Sequence, residues 1–225
     1  TTAAVKAYDE CWAKARHRVV KPGDRIPFKG VDVLVVTSAG QAIKTPLEGG
    51  GAPNPLCPTT HPMTWGRTNE DESENAQSVG LLFTFGRFRM LDLGDLTWNK
   101  ELALMCPNNP IGTVDLFMVS HHGHDISNSP ALVHAIRPRV AIMDNGARKM
   151  GMPAALKVLR SSPGLEALYQ LHWSERAQPE DNTPAEFAAN LPDSPDGKWI
   201  KVSASQDGTF TVTNGRTGAS RVFKR

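Results

Sequence analysis

Between residues 114 and 173 the chain reads strand, helix, strand, helix, strand, and no other feature narrows the fold as much. Residues 114–120, Val140–Met143 and residues 168–173 are short, largely apolar runs. Pro130–Ile136 and Pro153–Arg160 read as short helices, Pro130 taking a first-turn place where its missing N–H costs nothing. Strands separated by helices pair in parallel and pack in layers, so the class is α/β. With 225 residues the chain fits one large domain, or one with appendages, and buries a core without needing disulfides.

The flanks read less regularly. Residues 3–16 space Ala4, Val5, Tyr8, Cys11 and Trp12 as a helix, with Cys11 expected to be buried. Residues 31–36 form a β-rich run. Five prolines and a glycine triplet predict a long loop over 46–66. Residues 79–85 and 87–93, divided by Gly86, predict a tight hairpin, and 97–104 a short helix. Residues 174–197 are polar and proline-rich, a loop with one short helix near 184–189. The chain closes on a hairpin, 199–205 and 209–213, turned at Asp207-Gly208.

Chemistry concentrates where two strands end. The run Arg89-Met-Leu-Asp-Leu-Gly-Asp95 delivers the Asp95 carboxylate into a loop. About 20 residues on, a second strand ends in His121-His122-Gly123-His124-Asp125, the densest group of metal-binding side chains in the sequence. Strand ends are where open α/β sheets gather ligands. Imidazole with carboxylate suits zinc, manganese or iron; calcium asks for oxygen throughout. Neighbouring strand residues face opposite ways, so His121 and His122 share one ion only if the strand has already ended. A strand-end Asp is also a common turn or helix-capping residue, and a lone His a common surface or core one. No Gly-x-Ser-x-Gly element marks a serine nucleophile.

The run Asn75-Ala-Gln-Ser78, a hydrophobic hairpin, Leu93-Gly-Asp95, a further strand, His121-His122-Gly123 and Ser127 resembles the metallo-β-lactamase fold hydrolases. It is most similar to the branch holding the hydrolase domain of DNA-uptake competence proteins. The strand at 138–142 and the Asn145-Gly146 turn also match, so the resemblance covers about Lys21 to Trp173. It implies an αβ/βα sandwich, with residues 1–173 as its C-terminal half and 174–225 as a loop and β-hairpin extension packed on it. Three departures matter. His124 stands where the motif has its first Ser, and Met152 where the family has a His. The family's His-x-His-x-Asp-His cluster cannot be formed, because histidine occurs only at 17, 61, 121, 122, 124, 134 and 172. The chain opens on Thr1 without Met, and the expectation is that an N-terminal half carrying that cluster is the partner.

The resemblance implies metal-assisted hydrolysis with two divalent ions, zinc before manganese or iron, and a metal-bound hydroxide as nucleophile. Asp95 becomes the bridging carboxylate and His122, ahead of His121, a ligand. Asn75, His124, Asp125, Asn145 and His172 become second-line or substrate-contacting residues. Arg148 and Lys149 are placed to hold an anion or simply to decorate the surface. His134 reads as structural, and the acidic stretch 70–74 leaves room for a separate calcium. The expected substrate is a phosphodiester, with a lactone or ester as the alternative, since one fold hosts both. If the His cluster is truly absent, the chain is a non-catalytic binding module. A net charge of +2 gives no field that would hold a polyanion, and no apolar run reaches the roughly 18 residues of a membrane span. Cys57 and Cys106 sit in Pro- and Asn-rich connections; a bond between them would imply a periplasmic or secreted protein, and two free thiols would not.

Overall fold

The computed structural model describes residues 2–57, 71–192, 194 and 197–225. In chain order the elements are α1 (Thr2–Trp12), β1 (Arg25–Phe28), β2 (Val31–Ser38), β3 (Gln41–Ala42), β4 (Ala52–Pro53), β5 (Gly80–Phe85) and β6 (Phe88–Asp92). Then come α2 (Trp98–Met105), β7 (Asn108–Asn109), β8 (Leu116–Met118), α3 (Pro130–Ile136), β9 (Val140–Met143), α4 (Pro153–Arg160) and β10 (Ala167–His172). The chain finishes with β11 (Ala188–Asn190), β12 (Ile200–Ala204), β13 (Phe210–Asn214) and β14 (Ser220–Phe223).

A nine-stranded sheet runs in the order β1-β2-β5-β6-β8-β9-β10-β11, with β3 paired to β2. Pairing is antiparallel from β1 to β6 and parallel from β6 to β11, so the protein is a mixed α/β fold. All four residues of β9, Val-Ala-Ile-Met, are buried, as befits a parallel strand covered on both faces. One face packs on helices: Leu91 and Phe117 of the sheet meet Leu104 of α2, Leu132 of α3 and Leu156 of α4. The other face meets a second sheet, β12-β13-β14, through Phe88, Leu116, Ile142 and Tyr169 against Phe210, Val212 and Phe223. The rings of Phe88 and Phe210 lie 5.3 Å apart, and Phe210 stacks on Phe223 at 4.9 Å.

Helix α3 shows why the sequence reads clearly here. Ser129 Oγ accepts from the Leu132 N–H, Pro130 follows it, and Arg137 closes the helix in the left-handed conformation. Several expectations are corrected. The C-terminal hairpin has a third strand, β14. The strand read at 168–173 is joined by a further one, because β11 pairs with β10 inside the segment read as loop and helix. Three residues are too few to show a period. The predicted loop at 46–66 contains β4, paired with β7, and its residues from 58 onward lie outside the described residues. Cys11 is exposed, not buried: α1 presents Tyr8, Cys11 and Trp12 to solvent.

Cys57 and Cys106 form a disulfide across 49 positions of sequence. Closing a loop of that size restricts the unfolded chain, and reduction is expected to lower stability by about 2–4 kcal/mol. Urea unfolding with and without reductant measures this; equal midpoints would mean that the bridge contributes nothing. No helix among the described residues is long and apolar enough to cross a membrane.

Candidate functional site

The parallel strands deliver their C-terminal ends to one edge of the sheet, and the polar cluster stands there. At the end of β6, Asp92 Oδ1 accepts from the Gly94 N–H at 2.9 Å, and Gly94 turns with φ 56°. An L side chain adopts that conformation only at a cost, so glycine frees the chain to present Asp95. At the end of β8 the strand stops at Met118, and His121 and His122 both take left-handed conformations, φ 53°. The His121 N–H donates to Gly94 O at 2.9 Å, tying the two strand ends together. Two consecutive non-glycine residues held there cost roughly 1–3 kcal/mol each, the kind of strain found where a constellation is being held.

The strain has a geometric result. His121 Nε2 lies 3.8 Å from Asp95 Oδ2, and His122 Nε2 lies 3.6 Å from Asp95 Oδ1. The alternation of a strand does not separate the two histidines, because the strand has ended. Each imidazole is braced from behind. Asp144 Oδ2 accepts from His122 Nδ1 at 3.2 Å, and Ser127 Oγ lies 3.2 Å from His121 Nδ1. A proton held at Nδ1 leaves the Nε2 lone pair facing Asp95. Burial lowers the His121 pKa; the Asp95 charge opposes this, and His124, His122 and Lys149 add to the lowering. His121 is therefore a neutral imidazole at neutral pH.

The other expected residues divide. Asn75 Nδ2 is 3.4 Å from His121 Nε2, so Asn75 belongs to the cluster. The His124 ring sits 4.7 Å from that of His121, and its Nδ1 pairs with Asp125 Oδ1 at 2.6 Å. Asn145, fully buried, clasps the main chain of His172, donating to its carbonyl at 2.8 Å. His172 thus enters through its backbone; among the described residues only His121 and His122 bring a ring nitrogen within 4.0 Å of Asp95. His134 bonds Val158 O and Ser161 Oγ, a structural role. Arg148 pairs with Glu175. Met152 caps α4, its N–H donating to Gly123 O. Of the acidic stretch, Asp71 Oδ1 accepts from Ser73 N, while Glu70 and His61 lie outside the described residues.

Two residues escaped the sequence reading. Asp144 directly follows β9 as Asp95 follows β6, so the same strand-end argument would have found it. Glu101 lies on α2 and is fully buried, accepting from the N–H groups of Asn128 (2.7 Å) and Ser129 (2.6 Å). Asn128 Nδ2 in turn donates to Ser120 O and His124 O, so Glu101 fixes the loop that carries Ser127. Nothing in the helical spacing of α2 signals that role.

Zinc bonds of about 2.0–2.1 Å set tetrahedral donors roughly 3.4 Å apart. The two oxygen–imidazole edges approach that span, and the N and O donors suit zinc, manganese or iron. They fit one edge of a shell at each imidazole, and no more: among the described residues no group of three or more His, Cys, Asp and Glu side chains is placed to hold a metal ion. The chain matches no protein-family model and no curated protein. Its class therefore rests on the α/β sheet and on this strand-end cluster.

Proposed function

We propose that this chain carries the distal half of a metal-hydrolase site and acts on phosphodiesters. The observation that carries the reading is Asp95, each of whose oxygens faces the Nε2 of a different histidine. A carboxylate so placed would hold a metal together with either imidazole. On this reading the sheet is the C-terminal half of a metallo-β-lactamase-like sandwich, and a polypeptide segment bearing a His-x-His-x-Asp-His cluster completes the shells that Asp95, His121 and His122 begin.

When bound, divalent ions supply acidified water and positive charge for hydrolysis at neutral pH. The chain's own residues do the rest. Asp95 places negative charge between the imidazoles. Asp144, paired with His122, holds that ring's proton on Nδ1; Ser127 steadies His121. Asn75 offers an amide N–H at the rim of the cluster. Lys149, whose charge is felt at His121, gives an anionic substrate a countercharge. The disulfide supports an oxidising compartment, periplasmic or extracellular.

The test is metal content with turnover. Protein isolated from the cells that make it is expected to hold about two divalent ions per complete molecule. It should co-purify with the His-cluster segment and cleave bis(4-nitrophenyl) phosphate faster than a simple lactone. A lactone preference would move the substrate class. A folded, metal-free protein inert toward both in excess zinc favours a binding module.

A smaller prediction concerns the brace. Asp144→Asn is expected to weaken zinc binding about 10–100-fold, the usual cost of removing an imidazole's carboxylate partner. A zinc competition titration reads it, and unchanged affinity would show that Asp144 does not orient His122.

A further inference from the structure

A cleft of about 510 Å³ opens at the opposite end of the sheet, over β1, β2, β5 and β6. The register fixes its position. Asp32, Thr84 and Arg89 lie side by side across β2, β5 and β6, as do Arg25, Leu34 and Leu82 across β1, β2 and β5. Arg89 precedes Asp92 by three residues, so the cleft lies roughly 10 Å back along β6 from the end that presents Asp95. Leu34 and Leu82, both buried, make its floor, and Leu47 adds to one wall.

Its charge is unbalanced. Arg25, Arg87, Arg89 and Arg225 line it against Asp32 and Glu48. Arg25 and Asp32 pair with each other. The Arg89 guanidinium donates to two neutral carbonyls, Ile111 O at 2.7 Å and Thr113 O at 2.8 Å. Arg225 shares the buried carboxylate of Asp115 with Arg139. Arg87 donates to a carbonyl of the β12–β13 turn, Asp207 O, at 2.9 Å. Arg25 and Arg225 each hold a carboxylate, which leaves Arg87 and Arg89 against Glu48, one positive charge in a recess with an apolar floor.

We infer that this cleft binds a phosphate monoester with an apolar or aromatic body, of the size and chemistry of a nucleotide. Three observations select it. The volume falls within the roughly 300–1,000 Å³ of small-molecule sites. A phosphate monoester carries about −1.5 to −2 charges at neutral pH, and Arg87 and Arg89, which among the described residues bond only carbonyls, supply its countercharge. The planar guanidinium groups of Arg87 and Arg89 suit phosphate oxygens, while the three leucines leave a place for a ring. The site is separate from the strand-end cluster and does not depend on the hydrolase reading.

Calorimetric titration with a nucleoside 5′-monophosphate tests it, with the unphosphorylated nucleoside and inorganic phosphate as the other probes. The nucleoside loses its charge-assisted contacts and inorganic phosphate loses the burial of the apolar body, each worth about tenfold or more, so both probes should bind at least that much more weakly. Arg87→Glu, at an exposed position, should weaken the monophosphate by about tenfold or more for the same reason. Asp95→Ala should leave its affinity unchanged, which separates this site from the proposed active site. The inference is overturned by no binding of the monophosphate at millimolar concentration. It is equally overturned by inorganic phosphate binding as tightly as the monophosphate, by binding that Arg87→Glu leaves intact, or by binding lost in Asp95→Ala.

Discussion

Asp95→Ala is expected to lower hydrolysis by about 10³-fold or more and to release at least one metal ion, with the fold retained. On the proposed hydrolase reading the size follows from its place: one carboxylate serves both imidazole edges, and the several kcal/mol that bound ions would contribute to a transition state would go with it. The fold should survive because the Asp95 side chain is 37% exposed at a strand end, and its partners are the two histidines. Surface changes of that kind move stability by about 0.5 kcal/mol or less. Metal analysis, turnover of a phosphodiester and a lactone, and thermal unfolding of the same preparation separate these effects. Unchanged turnover of both substrates would remove Asp95 from the site. Lost turnover with a collapsed unfolding midpoint would make it a structural residue instead.

Much of the architecture was readable because it is local. Ser129 and Pro130 announce the start of α3, four consecutive apolar residues announce β9, and Gly86 divides β5 from β6. Parallel pairing followed from the alternation of these elements. What sequence could not supply was anything set by distant contact. β11 is a strand because β10 offers it hydrogen bonds, not because Ala-Ala-Asn prefers to be one. α1 has helical spacing, yet its described apolar side chains Tyr8, Cys11 and Trp12 face solvent. In the site, Asp95 and the histidines were visible as strand-end groups, while their convergence depends on two left-handed residues that no period predicts. Asp144 was within reach of the same reasoning. Glu101 was not, since its partners lie 27 and 28 positions away.

Glu101 carries the second large effect, on stability. Its carboxylate is buried, and burial pushes its pKa up to about 7, against the N–H bonds of Ser129 and Asn128. In the unfolded chain the group titrates near its ordinary value of about 4.5. Between those values the folded protein holds a proton that the unfolded chain has released. The contribution of Glu101 is therefore whole below about pH 4.5, declines as pH rises to about 7 and stays lost above it. At about 1.36 kcal/mol per pH unit the swing is about 3 kcal/mol. His121 acts in the opposite sense: its lowered pKa penalises the folded state in acid and relieves it as pH rises through the ordinary imidazole range. Comparing variants isolates the Glu101 part. In urea unfolding at successive pH values, Glu101→Gln should remove the fall between about pH 4.5 and 7 while His121 still acts. Glu101→Ala should cost roughly 2–6 kcal/mol, because two buried N–H groups lose their acceptor at about 1–3 kcal/mol each. Ser127 hangs from the same loop, so the alanine variant should also loosen His121 and bind zinc more weakly. If the wild-type and glutamine proteins change stability in parallel across that pH range, Glu101 is ionised throughout and the two backbone donors outweigh its burial.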